Sequence, residues 1–103
     1  MMLTNKQYLE ALVLSILSES ENGRYPYEIK NILGVFLKLS DSTIYTIFNR
    51  LEKQEFVRAD EKLHISQGRA RKYYFITEEG NKKLQSLKDR YHIEKDILDR
   101  WLE

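Results

Sequence analysis

The stretch of residues 39–57, LSDSTIYTIFNRLEKQEFV, constrains the fold of this chain more than any other. Its apolar side chains recur at i, i+3, i+4 and i+7, the spacing of one side of an α-helix, and they are Ile44, Ile47, Phe48 and Leu51. The opposite side carries hydroxyls, an amide and cations: Ser42, Thr46, Asn49, Arg50 and Lys53, with Thr43 and Tyr45 on its flanks. The pattern predicts a helix anchored to a core, with an outward face that fits either the DNA major groove or solvent alone.

Two helices are predicted ahead of this stretch. Thr4 and Gln7 form a capping-box pattern, which places the first helix at about residues 5–18. Its expected core stripe consists of Leu9, Leu12, Val13, Ile16 and Leu17. Because its other sides are also apolar, the helix either buries a second surface against a partner subunit or simply tolerates some exposure.

The second helix is short and opens at Pro26, where the missing N–H costs nothing. Its expected buried residues are Ile29, Ile32 and Leu33. Gly34 is a plausible stop, and the apolar residues 35–39 predict a connector or a strand of one to two residues before the third helix.

A β-hairpin is predicted directly after the third helix. Residues 57–65 contain regularly spaced apolar side chains, and residues 71–76 are rich in aromatic and β-branched types, with residues 66–69 as the tip. The hairpin concentrates positive charge in Arg69, Arg71 and Lys72. Tyr73 and Tyr74 must point to opposite faces, so only one of them can lie in the core.

A final helix of about 25 residues, roughly 37 Å long, is predicted from Thr77 to Leu102. Its apolar stripe follows heptad-like spacing and consists of Leu84, Leu87, Tyr91, Leu98 and Trp101, widened by Ile97 and Leu102. Glu94 interrupts the stripe. We expect the stripe to pack against the same region of a second copy, and partly on the first helix; the alternative is a helix folded back on its own domain.

Composition excludes several classes of function. The 103 residues contain no cysteine, which rules out disulfides, thiol catalysis and thiolate metal sites. His64 and His92 stand far apart without motif neighbours, so we predict no enzyme, no cofactor and no metal site. No cleavable leader or membrane-spanning run is recognised, and we expect a cytoplasmic protein.

The net charge of +1 is modest, but its distribution is uneven. Residues 42–75 hold seven lysines and arginines against four acidic residues, whereas residues 1–41 and residues 76–103 each carry a net charge of −1. A local basic surface of this kind is what a small DNA-binding footprint requires.

Three helices followed by a two-stranded wing are the element order of a winged helix-turn-helix, in which the third helix is the recognition element. The expected fold is therefore mainly α with a small β-hairpin (α+β). We expect residues 1–76 to form the DNA-binding domain, with the first helix also contributing to a dimer interface, and residues 77–103 to form a C-terminal dimerisation helix.

Two stretches of the sequence closely resemble the signature stretches of PadR-type transcriptional regulators. They are residues 39–53, LSDSTIYTIFNRLEK, and residues 68–80, GRARKYYFITEEG; residues 25–29, YPYEI, are similar to the family's helix-two opening. The chain is most similar to the short members, which have a single C-terminal helix. The resemblance implies a homodimeric DNA-binding repressor with a pseudo-palindromic operator.

The resemblance also supplies candidate DNA contacts. Candidates for contacts to bases or adjacent phosphates are Thr43, Thr46, Asn49 and Arg50, and those for contacts to the DNA backbone are Ser42 and Tyr45. Lys53 is a further DNA-binding candidate. The wing residues Arg69, Arg71 and Lys72 are expected to meet phosphates or the flanking minor groove. Two departures stand out: Asp41-Ser42 replaces the family's usual proline-glycine or similar pair, and Glu55 replaces a common glycine, so the turn after the third helix is expected to close differently or be longer.

Short members of the family can hold flat aromatic compounds between their two subunits. The residues expected to line such a cavity, or alternatively to form closed dimer core, are Leu9, Val13, Leu87, Tyr91 and Trp101. A rival function for the whole chain is a winged-helix protein-interaction module without direct DNA binding, against which the basic wing argues.

Overall fold

The computed structural model describes residues 2–64 and 69–103, and the side chains of residues 62–70 fall outside this description. Within the described part, the elements are α1 (Asn5–Ser18), α2 (Pro26–Leu33), α3 (Asp41–Lys53), β1 (Val57–His64), β2 (Arg69–Ile76) and α4 (Glu78–Leu102). The two strands pair antiparallel, from Val57 opposite Ile76 to His64 opposite Arg69. The predicted fold class is therefore confirmed, whereas most of the predicted hairpin tip lies in residues 65–68, outside the described residues.

Side-chain caps mark the starts of α1 and α3, and the cap of α1 is the predicted one. The Thr4 hydroxyl accepts a hydrogen bond from the Gln7 backbone N–H at 3.1 Å, and the Gln7 side chain accepts one from the Thr4 N–H at 2.9 Å. Ser40 caps α3 by accepting a hydrogen bond from the Thr43 N–H at 3.1 Å. Both helices thus satisfy donors that would otherwise lack partners inside the chain.

The core side of α1 is rotated by about one residue from the predicted stripe. Leu14 is fully buried, whereas Leu12, predicted to be core, is 41% exposed, and Leu9 and Ile16 are half-buried. The buried side starts at Glu10, whose carboxylate pairs with Arg50 of α3. A hydrophobic pattern cannot identify a buried glutamate, and this is why the prediction chose the wrong stripe.

The predicted burial on α2 is only partly correct. Ile29 and Leu33 are buried as expected, but Ile32 is 40% exposed. An eight-residue helix that packs through positions i and i+4 presents a narrow contact side, and Ile32 lies beside that side rather than on it.

A backbone bridge that the sequence did not predict joins the hairpin to the segment before α2. The Arg24 N–H donates to the Tyr74 carbonyl at 3.1 Å, and the Tyr74 N–H donates to the Arg24 carbonyl at 2.8 Å. The Tyr74 ring packs on Phe48 of α3 with 4.6 Å between ring centroids, and burial raises the pKa of Tyr74. Tyr73 lies on the other face against Tyr25, so the prediction that only one tyrosine enters the core is confirmed.

The turn after α3 has the left-handed backbone conformation that glycine usually adopts at a helix C-terminus, although Glu55 occupies the position. Glu55 has φ +62°, in the left-handed region, and the Phe56 N–H donates to the Leu51 carbonyl at 3.0 Å. A side chain in this conformation costs about 1 kcal/mol relative to glycine. The expectation of a differently closed or longer turn is therefore wrong, because the chain keeps the geometry and bears the strain.

The apolar stripe of α4 divides into two parts. Leu84 and Leu87 are buried in the core of the single chain, where α4 packs on α1. The second half of the helix leaves large apolar side chains exposed, and these include Tyr91, Ile97, Leu98, Trp101 and Leu102.

Glu94 lies within the exposed second half of α4 and joins this helix to the start of α1. It is only 5% exposed, and its carboxylate accepts hydrogen bonds from the Tyr8 hydroxyl and the Leu3 backbone N–H. The Tyr8 hydrogen bond, with the Leu3 N–H and Arg90 adding to it, lowers the pKa of Glu94, and the same bond raises the pKa of Tyr8. An acidic residue in the apolar stripe thus has a structural role within one chain.

Replacing Tyr8 by phenylalanine should lower the melting temperature at neutral pH, and this difference should shrink as the pH falls into the acidic range. The pKa of Glu94 is depressed in the folded chain, so its stabilisation is present above its unfolded pKa and is lost as pH falls through the folded one. The raised pKa of Tyr8 sets the other limit, because its contribution is lost only as pH rises above 10. Thermal unfolding of both proteins from pH 3 to 8 measures the difference, and a constant difference would contradict this role.

Candidate nucleic-acid interface

The outward face of α3 is exposed because the opposite side of the helix is fixed in the core. Ile44, Ile47, Phe48 and Leu51 are all buried, as the spacing predicts. Five of the seven predicted contact residues of α3 lie exposed on the outward face: Ser42, Tyr45, Thr46, Asn49 and Lys53. The hydroxyl of Thr46 donates to the Ser42 carbonyl at 2.7 Å, which leaves its oxygen available to accept a further hydrogen bond.

The exposed face borders an open cleft between α3 and the wing. The residues that line the cleft are Tyr25, Pro26 and Tyr27 at the start of α2, Tyr45 and Asn49 on α3, and Arg71, Lys72 and Tyr74 on β2. Alternate residues of a strand share a face, so Lys72 points to the same side as Tyr74, towards α3. The fold therefore brings Tyr45 and Asn49 of α3 next to two of the three wing cations.

The Arg71 side chain is held against an aromatic ring. Its guanidinium carbon lies 4.6 Å from the centroid of the Tyr25 ring, a cation–π contact that leaves the positive charge at the edge of the cleft. Lys72 is exposed. The third predicted wing cation, Arg69, has its side chain outside the described residues.

Two functional candidates were missed in the sequence. Tyr25 and Tyr27 flank Pro26 and line the cleft, but the motif YPYEI was interpreted only as the opening of a helix. Two tyrosines beside a helix N-terminus are a usable signal, since phenolic hydroxyls can donate to phosphate.

The acidic residue at the start of α3 is neutralised by α2. Lys30 donates to the Asp41 carboxylate with 2.6 Å between Nζ and Oδ1, and this hydrogen bond raises the pKa of Lys30. Asp41 places a negative charge in the first turn of α3. The ion pair with Lys30 offsets part of this charge at the end of the helix.

Thr43 and Arg50 do not join the outward face. Thr43 is half-buried, and its hydroxyl lies 2.9 Å from that of Ser40. Arg50 turns inward, and its Nε donates to Oε1 of Glu10 at 2.8 Å. Their positions revise the predicted set of contacts, because both side chains are engaged within the chain.

The residues predicted to line an effector cavity or to form dimer core differ in their burial within one chain. Val13 is fully buried and Leu87 is 3% exposed in the core of one chain, so neither can line a cavity between subunits. Tyr91 is 42% exposed and Trp101 is 74% exposed, and Leu9 is half-buried. The prediction fails for Val13 and Leu87, since they pack inside the helical core.

The described part of the chain contains no group of three or more histidine, aspartate or glutamate residues that could hold a metal ion. None of its described helices is long and apolar enough to cross a membrane.

Comparison with known proteins identifies a family and several similar structures. The model of the PadR-like family of transcriptional regulators matches residues 13–86. A protein of Lysinibacillus sphaericus is 33% identical over 100 residues, which cover 93% of this chain and 89% of that protein. A PadR family transcription regulator from Clostridium difficile is 28% identical, with TM-score 0.81 and coverage of 93% of this chain and 99% of the other. A PadR-like regulator from Bacillus cereus is 29% identical, with TM-score 0.82 and coverage of 95% and 94%.

Proposed function

Because this chain belongs to the PadR-like family of transcriptional regulators, which are not enzymes, we propose that it is a homodimeric repressor that binds a pseudo-palindromic DNA operator. The observation that carries the proposal is the cleft in which Tyr45 and Asn49 of α3 stand beside Arg71 and Lys72 of the wing. A polar helix face next to two cations suits a base edge with its flanking phosphates.

In this proposal α3 lies in the major groove. Asn49 and Thr46 read base edges, and an asparagine amide can form two hydrogen bonds with adenine. Ser42, Tyr45 and Lys53 contact the DNA backbone, as do Arg69, Arg71 and Lys72 of the wing. Thr43 contributes through the helix cap, and Arg50 is left out of the set of contacts because it pairs with Glu10.

The dimer is proposed to form through the exposed second half of α4 and the outer side of α1. The exposed apolar residues that support this are Leu12, Ile97, Leu98, Trp101 and Leu102. The first half of α4 belongs to the core of one chain, so the proposed dimerisation segment is shorter than residues 77–103. Two-fold symmetry would place the two α3 helices in successive major grooves about 34 Å apart.

The proposal is tested by separating affinity from sequence preference. Lys72→Ala should weaken binding to all duplexes alike. The slope of log affinity against log salt concentration should also become shallower, by the amount expected for about one lost phosphate contact per subunit. Asn49→Ala should instead change the preferred sequence. Fluorescence anisotropy over a salt series measures both effects, with Lys88→Ala on the exposed side of α4 as the matched control. A Lys72→Ala protein that matches the Lys88→Ala protein throughout would refute the wing contact.

We also propose a planar aromatic effector that sits between the subunits against Tyr91 and Trp101. The support is the exposure of both rings, which a closed dimer interface would explain equally well. Trp101 is the single tryptophan of the chain, so its fluorescence reports on this position alone. Quenching by a panel of planar dyes, reduced in Tyr91→Ala, is the expected result; a signal unchanged by every dye would favour the closed interface.

A further inference from the structure

Arg50 and Glu10 form an ion pair between α3 and α1. The side chain of Glu10 is only 8% exposed and that of Arg50 is 23% exposed, with 2.8 Å between Nε and Oε1. Nε of Arg50 donates to Oε1 of Glu10. Nη2 of Arg50, in contrast, is buried and has no hydrogen-bond partner among the described residues. A partly buried pair of this kind is weak evidence for stability, since the cost of removing both charges from water offsets much of their attraction.

The pair joins α1 to α3 at the residue that follows Asn49. The four buried apolar side chains of α3 already hold its inner side in the core, and the hydrogen bond of Arg50 adds a directional contact to this packing. Arg50 adjoins Asn49, and successive helical residues are 100° apart, so a fixed Arg50 also fixes the direction of Asn49. The Nε–Oε1 hydrogen bond is directional and ties this rotation to α1.

We propose that Arg50 is a positioning residue which, through Glu10, sets the rotation of α3 on α1 and thereby aims Asn49 and Thr46 at the base edges. The inference rests on the proposed function, in which α3 reads DNA, and it gives Arg50 no DNA contact of its own.

The test uses four variants of the full chain. Glu10→Met and Arg50→Met each remove one end of the pair, the double variant removes both, and Glu10→Gln keeps an oxygen that can accept from Arg50. The probes are a duplex that the wild-type protein recovers from random-sequence DNA and a scrambled duplex of the same composition. Each protein is titrated with both probes over a salt series, and its melting temperature is measured without DNA.

Both single methionine variants should lose about tenfold in preference for the recovered duplex over the scrambled one, the effect of misplacing one base contact. The double variant should lose no more of this preference than the more strongly affected single variant does. Glu10→Gln should keep the wild-type preference. The salt dependence should stay unchanged in every variant, since no phosphate contact is removed.

Two outcomes would overturn the proposal. A lower salt dependence in Arg50→Met with unchanged binding in Glu10→Met would make Arg50 a direct DNA contact. Lower melting temperatures with unchanged preference would leave the pair a purely structural role. If the wild-type protein recovers no preferred duplex, the proposed function fails, and only the unfolding measurements test the pair. A melting-temperature change in the double variant equal to the sum of the changes in the two single variants would then show that the two residues are not coupled.

Discussion

Replacing Gly80 by alanine is expected to destabilise the chain by about 3 kcal/mol, which lowers the melting temperature by about 10 °C or more. Gly80 lies in the first turn of α4, where a Cβ would stand well inside van der Waals contact with the Phe56 carbonyl oxygen and 2.7 Å from Cγ1 of Ile76. The Phe56 carbonyl cannot move away freely, because it accepts a hydrogen bond from the Thr77 N–H at 3.0 Å. The added methyl group must therefore separate α4 from the wing.

Gly34→Ala is the matched control for this prediction. Gly34 ends α2 with helical backbone angles, φ −62° and ψ −16°, and a Cβ there would stand 3.0 Å from the nearest atom, the Lys30 carbonyl oxygen. We expect its stability to change by less than about 1 kcal/mol. Equal melting temperatures for Gly80→Ala and the wild-type protein would show that the contact of α4 with Phe56 and Ile76 is less tightly packed than the structure describes.

Replacing Leu98 by glutamate is expected to dissociate the proposed dimer and to weaken binding to a palindromic duplex by about a hundredfold or more. Leu98 is 40% exposed on the second half of α4, and a carboxylate there would be buried against the second copy without a partner. A monomer also loses the gain from engaging two linked half-sites, which accounts for most of the expected effect.

Sedimentation equilibrium and a titration with the palindromic duplex measure the two parts of this prediction. Gln85→Glu is the control, because it adds the same single charge at an exposed position in the first half of α4. A Leu98→Glu protein that stays dimeric would show that the interface lies elsewhere. A monomer with unchanged affinity would show that pairing is not needed for DNA binding.

The elements of the fold were predictable because each has a local cause. The capping box of Thr4 placed α1 correctly, and the spacing of Ile44, Ile47 and Phe48 placed α3 correctly. The bridge between Arg24 and Tyr74 was not predicted, since a single pair of backbone hydrogen bonds far apart in sequence leaves no pattern of side chains.

The candidate site was predictable as a face but not residue by residue. A helical projection places Asn49 and Arg50 together on the outward side, because it treats every charged residue as solvent-seeking. The structure separates them, because the buried carboxylate of Glu10 draws Arg50 inward. The same buried glutamate explains the wrong stripe on α1, so one ion pair accounts for two errors in the sequence-based prediction.

Selection of bound duplexes from random-sequence DNA tests the central claim most directly. The wild-type protein should enrich a pseudo-palindrome whose half-site centres are about one helical turn, or roughly 34 Å, apart. Asn49→Ala should enrich a different base within each half-site, at the same spacing. Recovery of no sequence above the random background, or of a single motif without its inverted repeat, would contradict a homodimeric reader of DNA and favour the protein-interaction module.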